Sequence, residues 1–396
     1  MTEPNEKLAA RAGAIEPFRV MELSARASEH ARAGHEVVQF QVGEPDFVTA
    51  EPIVRAGQAA LAAGHTRYTN ADGLPELREA IAADYRARRG VDVAADAIIV
   101  TPGASGALTL LLAALFEPGD ELYMADPGYP CNAAFTRLVN AEPRFIATGP
   151  QTQYQPTADQ LAAAWTAAGR GLLLASPANP TGGMLGATAL RELAAFVHRR
   201  DGVVLLDEIY ADLTFEGGHD RYQCGWQVDQ RIVLVNSFSK FFGMTGWRLG
   251  WIVAPPWLRD ALRRIGQNLF IAPSSIAQHA ALAAFSAPAM EEHERRREIY
   301  RRRRDLLASG LSQLGFQVPF RPGGGFFLWV DISHTGMDAE TFCWRLLDEF
   351  KVAVTPGTDF ASPASGAGSH VRFAYTTSET QIELGLERLR HALASW

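Results

Sequence analysis

Residues 237–248 read SFSKFFGMTGWR and follow the apolar run RIVLVNSF, which predicts a buried strand. Lys240 therefore stands just past a buried strand end, where a cation is costly unless it is paired, neutral or covalently used. A lysine in such a place can form a Schiff base with an aldehyde. Arg248 stands eight residues further on, and Ser237 three residues before. The planar fork of an arginine suits a phosphate, and a serine hydroxyl can add a hydrogen bond to it. Asp207 raises the same question with the opposite charge. It closes the apolar run in LLDEIYADL (205–213), and a buried carboxylate needs a cation or several hydrogen bonds. A pyridinium N–H would supply one.

Three further stretches could carry chemistry. In TPGASGAL (101–108), backbone N–H groups at the start of an apolar helix could cradle a phosphate, with the Ser105 hydroxyl beside them; a tight strand-to-helix turn would account for the same residues. It is not a P-loop, because no GK[ST] follows. DPGYPCN (126–132) puts Tyr129 in a rigid turn, where it could stack on a flat ring, or simply pack. SPANPTGG (176–183) sets Asn179 between prolines, which reads either as a fixed amide donor or as a plain β-turn.

These stretches need a scaffold, and the chain predicts one. AIIVT (97–101), ELYMAD (121–126), PRFIAT (143–148), GLLLASP (171–177), VVLLDE (203–208), IVLVNSF (232–238) and LGWIVA (249–254) read as strands. Several are continuous aliphatic runs, as in a sheet covered on both faces. Helical stretches lie between them, so the fold class is α/β with a mostly parallel sheet. The chemistry-bearing stretches then fall at or just after the C-terminal strand ends, where open α/β sheets bind ligands. From 288 to 314 the chain is one long charged helix, followed by a smaller α+β unit on an antiparallel sheet, with FQVPF, GGGFFLWVDIS, KVAVTPG and SHVRFAYT as its extended pieces. The predicted division is a segment 1–47 joining the small domain, a large domain at 48–288 and a small domain at 289–396.

Composition narrows the classes. The 396 residues are 47% hydrophobic and 20% charged, an ordinary globular balance with room for a large core. A net charge of −7 offers no general attraction to nucleic acid or to an anionic membrane. The arginines at 295–297 and 301–304 are interleaved with glutamates and predict a solvated helix face. Cys131, Cys224 and Cys343 are too few and too scattered for a disulfide framework or a zinc site, and no metal-ligand spacing occurs. The start MTEPNEKLAARAG is not a signal peptide, and ALTLLLAALF is shorter than the roughly 18 residues a span needs. The expectation is a cytoplasmic protein with no membrane or nucleic-acid partner and no metal.

Taken in order, the glycine turn, the aromatic turn, the NPTG loop and the spacing Asp207 … Lys240 … Arg248 resemble the class I/II aminotransferase family of pyridoxal-phosphate enzymes, fold type I. VGEPDF, YTNADGLPELREAIA and VRFAYT extend the resemblance over nearly the whole chain. It implies pyridoxal 5'-phosphate bound to Lys240 as a Schiff base, with Lys240 then moving the proton between substrate and cofactor. It implies Asp207 on the pyridinium nitrogen, Asn179 and Tyr210 on the phenolic oxygen, and Tyr129 on the ring face. The phosphate falls to the backbone of Ala104 and Ser105, to Ser237 and Arg248, and less firmly to Ser239. Arg372 and the Gly43 N–H would take the substrate carboxylate, and Asn179 would also face the substrate. Tyr68 would reach the phosphate site of a neighbouring subunit, making a homodimer with shared active sites.

Two features depart from the family pattern. Ala104 stands where a second glycine is frequent, which is tolerable if its φ is negative. PGGGFF (322–327) carries extra glycines and suggests mobility near the substrate mouth. The substrates implied are an amino acid and a 2-oxo acid. The amino acid is expected to have a neutral or apolar side chain, because GQNLFIAPSSIAQ (266–278) holds no cation and Ile15, Pro17 and Phe18 offer an apolar wall. Arg67, and more remotely Arg19, could overturn that. A carbon–sulfur lyase would use the same lysine, aspartate and arginines. A non-catalytic pyridoxal-phosphate-binding regulator would need a DNA-binding module for which the chain before VGEPDF leaves little room.

Overall fold

The computed structural model describes residues 8–15, 17, 19–215, 223–362, 365 and 367–396. Among these the strands are β1 Val38–Gln39, β2 Ile98–Thr101, β3 Glu121–Asp126, β4 Glu142–Ala147, β5 Gly169–Ala175, β6 Val203–Asp207, β7 Val233–Ser237, β8 Gly250–Val253, β9 Phe327–Asp331, β10 Val352–Ala353, β11 Thr355–Pro356 and β12 His370–Ala374. Seven of them form one sheet in the order β2-β8-β7-β6-β5-β3-β4. Its neighbours are parallel except β8, which runs antiparallel to β2 and β7. The seven aliphatic runs of the sequence are these seven strands.

Alternate side chains serve opposite faces of this sheet. Leu172, Leu174, Val204, Leu206, Leu234 and Val253 pack into one core, and Leu173, Val203, Leu205, Val233, Val235 and Ile252 into another. Each such aliphatic side chain contributes about 1.5–3 kcal/mol on burial. Helices Gly103–Leu115 and Pro256–Leu269 supply Leu111, Leu258 and Leu262 to the second face, while Pro75–Arg89 and Ala187–His198 supply Ile81 and Leu193 to the first. Only the edge strand β4 exposes most of its length, as an edge can.

A second sheet, β11-β12-β9, is antiparallel, and β1 pairs parallel with β10. The expected single strand KVAVTPG is thus two short strands in different sheets. FQVPF forms no strand; Gln317 makes an isolated bridge to Asp331. Near the N-terminus, the Val20 N–H donates to Asp359 Oδ2 (2.9 Å), and Arg26 and His30 meet Asp348.

The long helix Ala287–Gln313 corrects the expected solvated face. Arg296, Arg303 and Arg304 are buried. Arg303 grips both oxygens of Asp46 (2.8 and 2.9 Å), Arg304 Nη1 donates to the Pro322 carbonyl (2.7 Å) and Arg296 Nη1 to that of Val48 (2.8 Å). Positions 296, 300, 303, 304, 307 and 311 share the helix face turned inward, and the long arginine stems carry charge to acceptors beneath. The extra glycines of PGGGFF, read above as mobility, have a packing reason in the structure. A Cβ on Gly324 would lie 2.6 Å from Pro177, and one on Gly323 2.6 Å from Met184. No described helix is long and apolar enough to cross a membrane.

Candidate active site

Asp207 ends β6 and Ser237 ends the adjacent β7, so both sit at C-terminal strand ends, with Lys240 three residues beyond. The Asp207 carboxylate is 7% exposed and accepts the Ile209 N–H at 3.0 Å. Burial pushes its pKa up to about 7, against the Ile209 N–H and Lys240, which pull it down; Glu208 adds to the rise. Lys240 Nζ donates to the Gly43 carbonyl at 3.0 Å and stands 5.9 Å from the Tyr210 ring and 5.7 Å from the Phe326 ring. Burial pushes Lys240 down to about 8, with Glu44 opposing and Arg372 and Arg248 reinforcing. Among the described residues neither Asp207 nor Lys240 has a salt bridge. The Glu44 carboxylate is held by the Thr245 hydroxyl.

Beside this pair lies a cradle of donors. Helix Gly103–Leu115 begins straight after β2, so Gly103, Ala104 and Ser105 form its first turn, where N–H groups lack intrahelical partners. Arg248 adopts φ 54° and donates through Nη1 to the Thr245 carbonyl (2.9 Å). Its guanidinium crowds the helix start: a Cβ on Gly103, whose φ is +73°, would lie 2.6 Å from Arg248 Nη2. A Cβ on Gly250 would lie 2.9 Å from the Ala104 nitrogen. Ala104 itself is not among the positive-φ residues, so its methyl costs no strain. Ser237 Oγ accepts the Ser239 N–H at 2.8 Å, which brings both serines to this end of β7.

The second sheet brings Arg372, on β12, to the opposite side. Its Nη1 donates to Asn179 Oδ1 (3.0 Å) and its Nη2 to the Gln41 carbonyl (2.8 Å), while Nε is buried with no partner among the described residues. The guanidinium lies between the Phe327 and Phe360 rings, 4.4 and 4.6 Å from their centroids. Burial pushes Arg372 down to about 10; Tyr210, Asp359 and Tyr129 oppose that. Gly43 belongs here as well: a Cβ on it would lie 3.3 Å from Phe327 and 3.6 Å from Arg372 Nη2. Tyr210 packs edge-on to Phe326 and Phe327. Burial raises the pKa of Tyr210 and of Tyr129, and Asp207 is close enough to raise both further.

Eleven of the predicted residues thus gather at the C-terminal strand ends, the inner ones buried and Ser105 and Arg248 exposed at the rim: Gly43, Ala104, Ser105, Tyr129, Asn179, Asp207, Tyr210, Ser237, Lys240, Arg248 and Arg372. Tyr68 does not join them within a single chain, being 79% exposed beside the exposed Arg67. Phe18 lies outside the described residues. Sequence reading missed Phe327, Phe360, Gln41 and Glu44. Glu44 was visible as the first of the two acids of VGEPDF, whereas nothing in the spacing marks Phe360 as a neighbour of Arg372.

The model of the family described as aminotransferase class I and II matches residues 35–389. The chain is 38% identical to a valine–pyruvate aminotransferase of Mycobacterium tuberculosis over 98% of this chain and 99% of that one. It is 36% identical to an aspartate/prephenate aminotransferase of Thermus thermophilus over 98% of each. Among solved structures, an aminotransferase from Mycobacterium tuberculosis superposes with a TM-score of 0.95 at 38% identity, covering 99% of this chain and 100% of that one.

Proposed function

The chain belongs to the class I and II aminotransferase family, and from that premise we propose that it uses pyridoxal 5'-phosphate, held through Lys240, to move an amino group between an amino acid and a 2-oxo acid. The observation that carries the assignment of residues is the pair Lys240 and Asp207: Asp207 is buried at one strand end, Lys240 half-buried just past the adjacent one, and neither has a counter-ion among the described residues. The donor set fits the cofactor. Asp207 lacks a cation, the crowded Gly103–Arg248 cradle suits a phosphate, and the orphaned Arg372 Nε awaits an anion.

Bound there, pyridoxal phosphate supplies an amine-binding aldehyde and a protonated ring that takes up the electrons of a broken Cα–H bond. Asp207 keeps the ring nitrogen protonated. Lys240 would supply the amine that holds the aldehyde and a base for the proton at the substrate Cα; a pKa of about 8 leaves it a neutral fraction at working pH. Ala104, Ser105, Ser237 and Arg248 hold the phosphate, with Ser239 beside them. Asn179 and Tyr210 would hydrogen-bond its phenolic oxygen, and Tyr129 would pack on its ring. Arg372 binds the substrate α-carboxylate, helped by Gly43 and oriented by its two flanking rings.

The amino-acid substrate has a neutral, mainly apolar side chain. Arg19 is committed to Glu340 and Thr358, which leaves the exposed Arg67 as the cation that could admit an acid. The two relatives divide on this point, one named for valine and one for aspartate. Comparing kcat/KM for alanine, valine, leucine and phenylalanine with that for aspartate and glutamate decides it. A tenfold lead for aspartate that Arg67→Ala abolishes would reverse the reading.

The working unit is a homodimer in the cytoplasm. The exposure of Tyr68 with Leu61, Leu269 and Ile271 supports a covered face that delivers Tyr68 to a neighbour, and three unpaired cysteines suit a reducing compartment. Residues 1–47 together with 289–396 form the unit carrying Arg372, and 48–288 the unit carrying Lys240. The pairing of β1 with β10 supports that division. Mixing holoenzyme with single amino acids and following the cofactor's visible band tests the activity. Borohydride reduction and peptide mapping should label Lys240; label at Lys7 or Lys351 would refute the assignment.

A further inference from the structure

Directly behind the site lies a second buried charge cluster. Helix Pro75–Arg89 ends in Arg88 and Arg89, where cations suit the helix C-terminus. Arg89 Nη2 donates to Asp212 Oδ1 at 2.9 Å and Nη1 to Glu208 Oε2 at 3.3 Å. Arg88 reaches the same Asp212 oxygen at 2.9 Å and clasps Asp84 at 2.5 Å through both Nε and Nη2. Glu208 also accepts the Gly225 N–H at 2.7 Å and faces the Cys224 thiol at 3.5 Å, and Gln227 Nε2 donates to the Arg89 carbonyl at 2.7 Å. Glu208 is fully buried and adjoins Asp207 in the chain; neighbours at a strand end point to opposite sides. Arg88 also touches the other chemistry-bearing segment. The Arg88 guanidinium lies 5.2 Å from the Phe241 ring and 5.9 Å from that of Phe242, the two residues after Lys240.

We propose that Arg89, with Arg88 beside it, is a positioning residue for the reaction: it neutralises Glu208 behind the Asp207 carboxylate and, through Asp212, ties together the segments that carry Asp207, Tyr210 and Lys240. This rests on the assignment of Asp207 as the partner of the cofactor ring. A second carboxylate next to Asp207, left unbalanced in a buried place, would drive Asp207 to hold a proton and lose its hold on a ring cation. The other charged or titratable groups facing Asp207 are Lys240, Tyr129 and Tyr210. Among the described residues Glu208 also faces Tyr85 and Cys224. Asp212 faces Arg88 and Arg89. Among the described residues Arg89 is thus the cation paired with Glu208, while Lys240 faces Asp207 on the other side.

The prediction is a pair of opposite shifts. In Arg89→Met holoenzyme the acid limb of the cofactor's visible-band titration, and of the kcat–pH profile, moves up by about one pH unit. In Glu208→Gln, which removes the like charge and leaves Arg89, both limbs move down by a similar amount. The double variant returns close to wild type, whatever its melting temperature. A purely structural role would change melting temperature and leave the limbs in place. Unmoved limbs, or shifts of the same sign, overturn the proposal. If Arg89→Met does not fold, Glu208→Gln alone decides: an unmoved or upward limb sinks it. Wild-type holoenzyme is measured in parallel. Failure of wild type to consume any amino acid would instead indict the functional assignment.

Discussion

Two buried charge clusters sit back to back at the end of β6, and they treat charge in opposite ways. Around Lys240, Asp207 and Arg372, burial outweighs pairing: the lysine is pushed down to about 8, the aspartate up to about 7 and the arginine down to about 10. Behind them, Arg88 and Arg89 are as deeply buried, yet their pKa values are raised above the ordinary range, because Asp212, Asp84 and Glu208 outweigh desolvation. One cluster is balanced by its own ion pairs and, on the proposal above, serves as the scaffold that positions the other. The other is left short of counter-charge, which under the proposed function leaves Asp207 for a cation and Arg248 and Arg372 for anions. Incomplete pairing is how the fold keeps a place ready for ligands, since a fully satisfied cluster would have nothing left to offer.

The sharpest way to break this contrast is Lys240→Ala. It should cost at least on the order of 10³-fold in transamination rate while leaving the melting temperature of the cofactor-free protein unchanged or higher. A rate near wild type would end the assignment. In the scaffold cluster the effect should fall on stability. Asp212→Ala strips a shared partner from two buried arginines and should cost about 3–5 kcal/mol in denaturant unfolding. A loss below about 1 kcal/mol would mean the cluster is no scaffold.

Asp207→Asn should do the reverse of Asp212→Ala. The expected kcat loss is on the order of 10², in a protein that still folds and binds cofactor. In the cofactor-free protein its stability relative to wild type should depend on pH. Near pH 4 and below, folded and unfolded wild type both keep the Asp207 proton, and the two proteins should differ little. Between about 4 and 7 the unfolded chain releases a proton that the folded chain retains, so wild-type stability falls with rising pH. The asparagine variant is spared that loss and gains on wild type by up to roughly 4 kcal/mol at pH 7. A pH-independent difference in melting temperature would contradict the origin given for the shift. The smallest effect belongs to the exposed pair Arg301–Glu298 on the long helix: Arg301→Gln should change stability by less than about 0.5 kcal/mol.

The large sheet was legible because its strands are uninterrupted aliphatic runs separated by helical stretches, and burial on both faces demands that pattern. The glycine turn, the aspartate at a strand end and the lysine with its trailing arginine were legible because each breaks an apolar run with a residue that burial alone would not choose. The split of KVAVTPG between two sheets was not, since pairing depends on which distant strand lies alongside. The inward arginines of the long helix were hidden for a related reason: interleaved glutamates make its exposed and buried faces look alike until the chain is packed.

The sequence by itself determined the α/β class, the family resemblance and which residue types could hold a phosphate, a ring and an amine. These are local properties, set by hydrophobic period and by a special residue standing beside a buried run. Only the tertiary structure decided that Phe327 and Phe360 enclose Arg372, that Asp46 anchors to Arg303, and that Arg89 stands behind Asp207. Those contacts join residues some 12 to 260 positions apart. The energy of a buried charge is settled by whichever groups the fold brings within a few ångströms, and no local pattern encodes that distance.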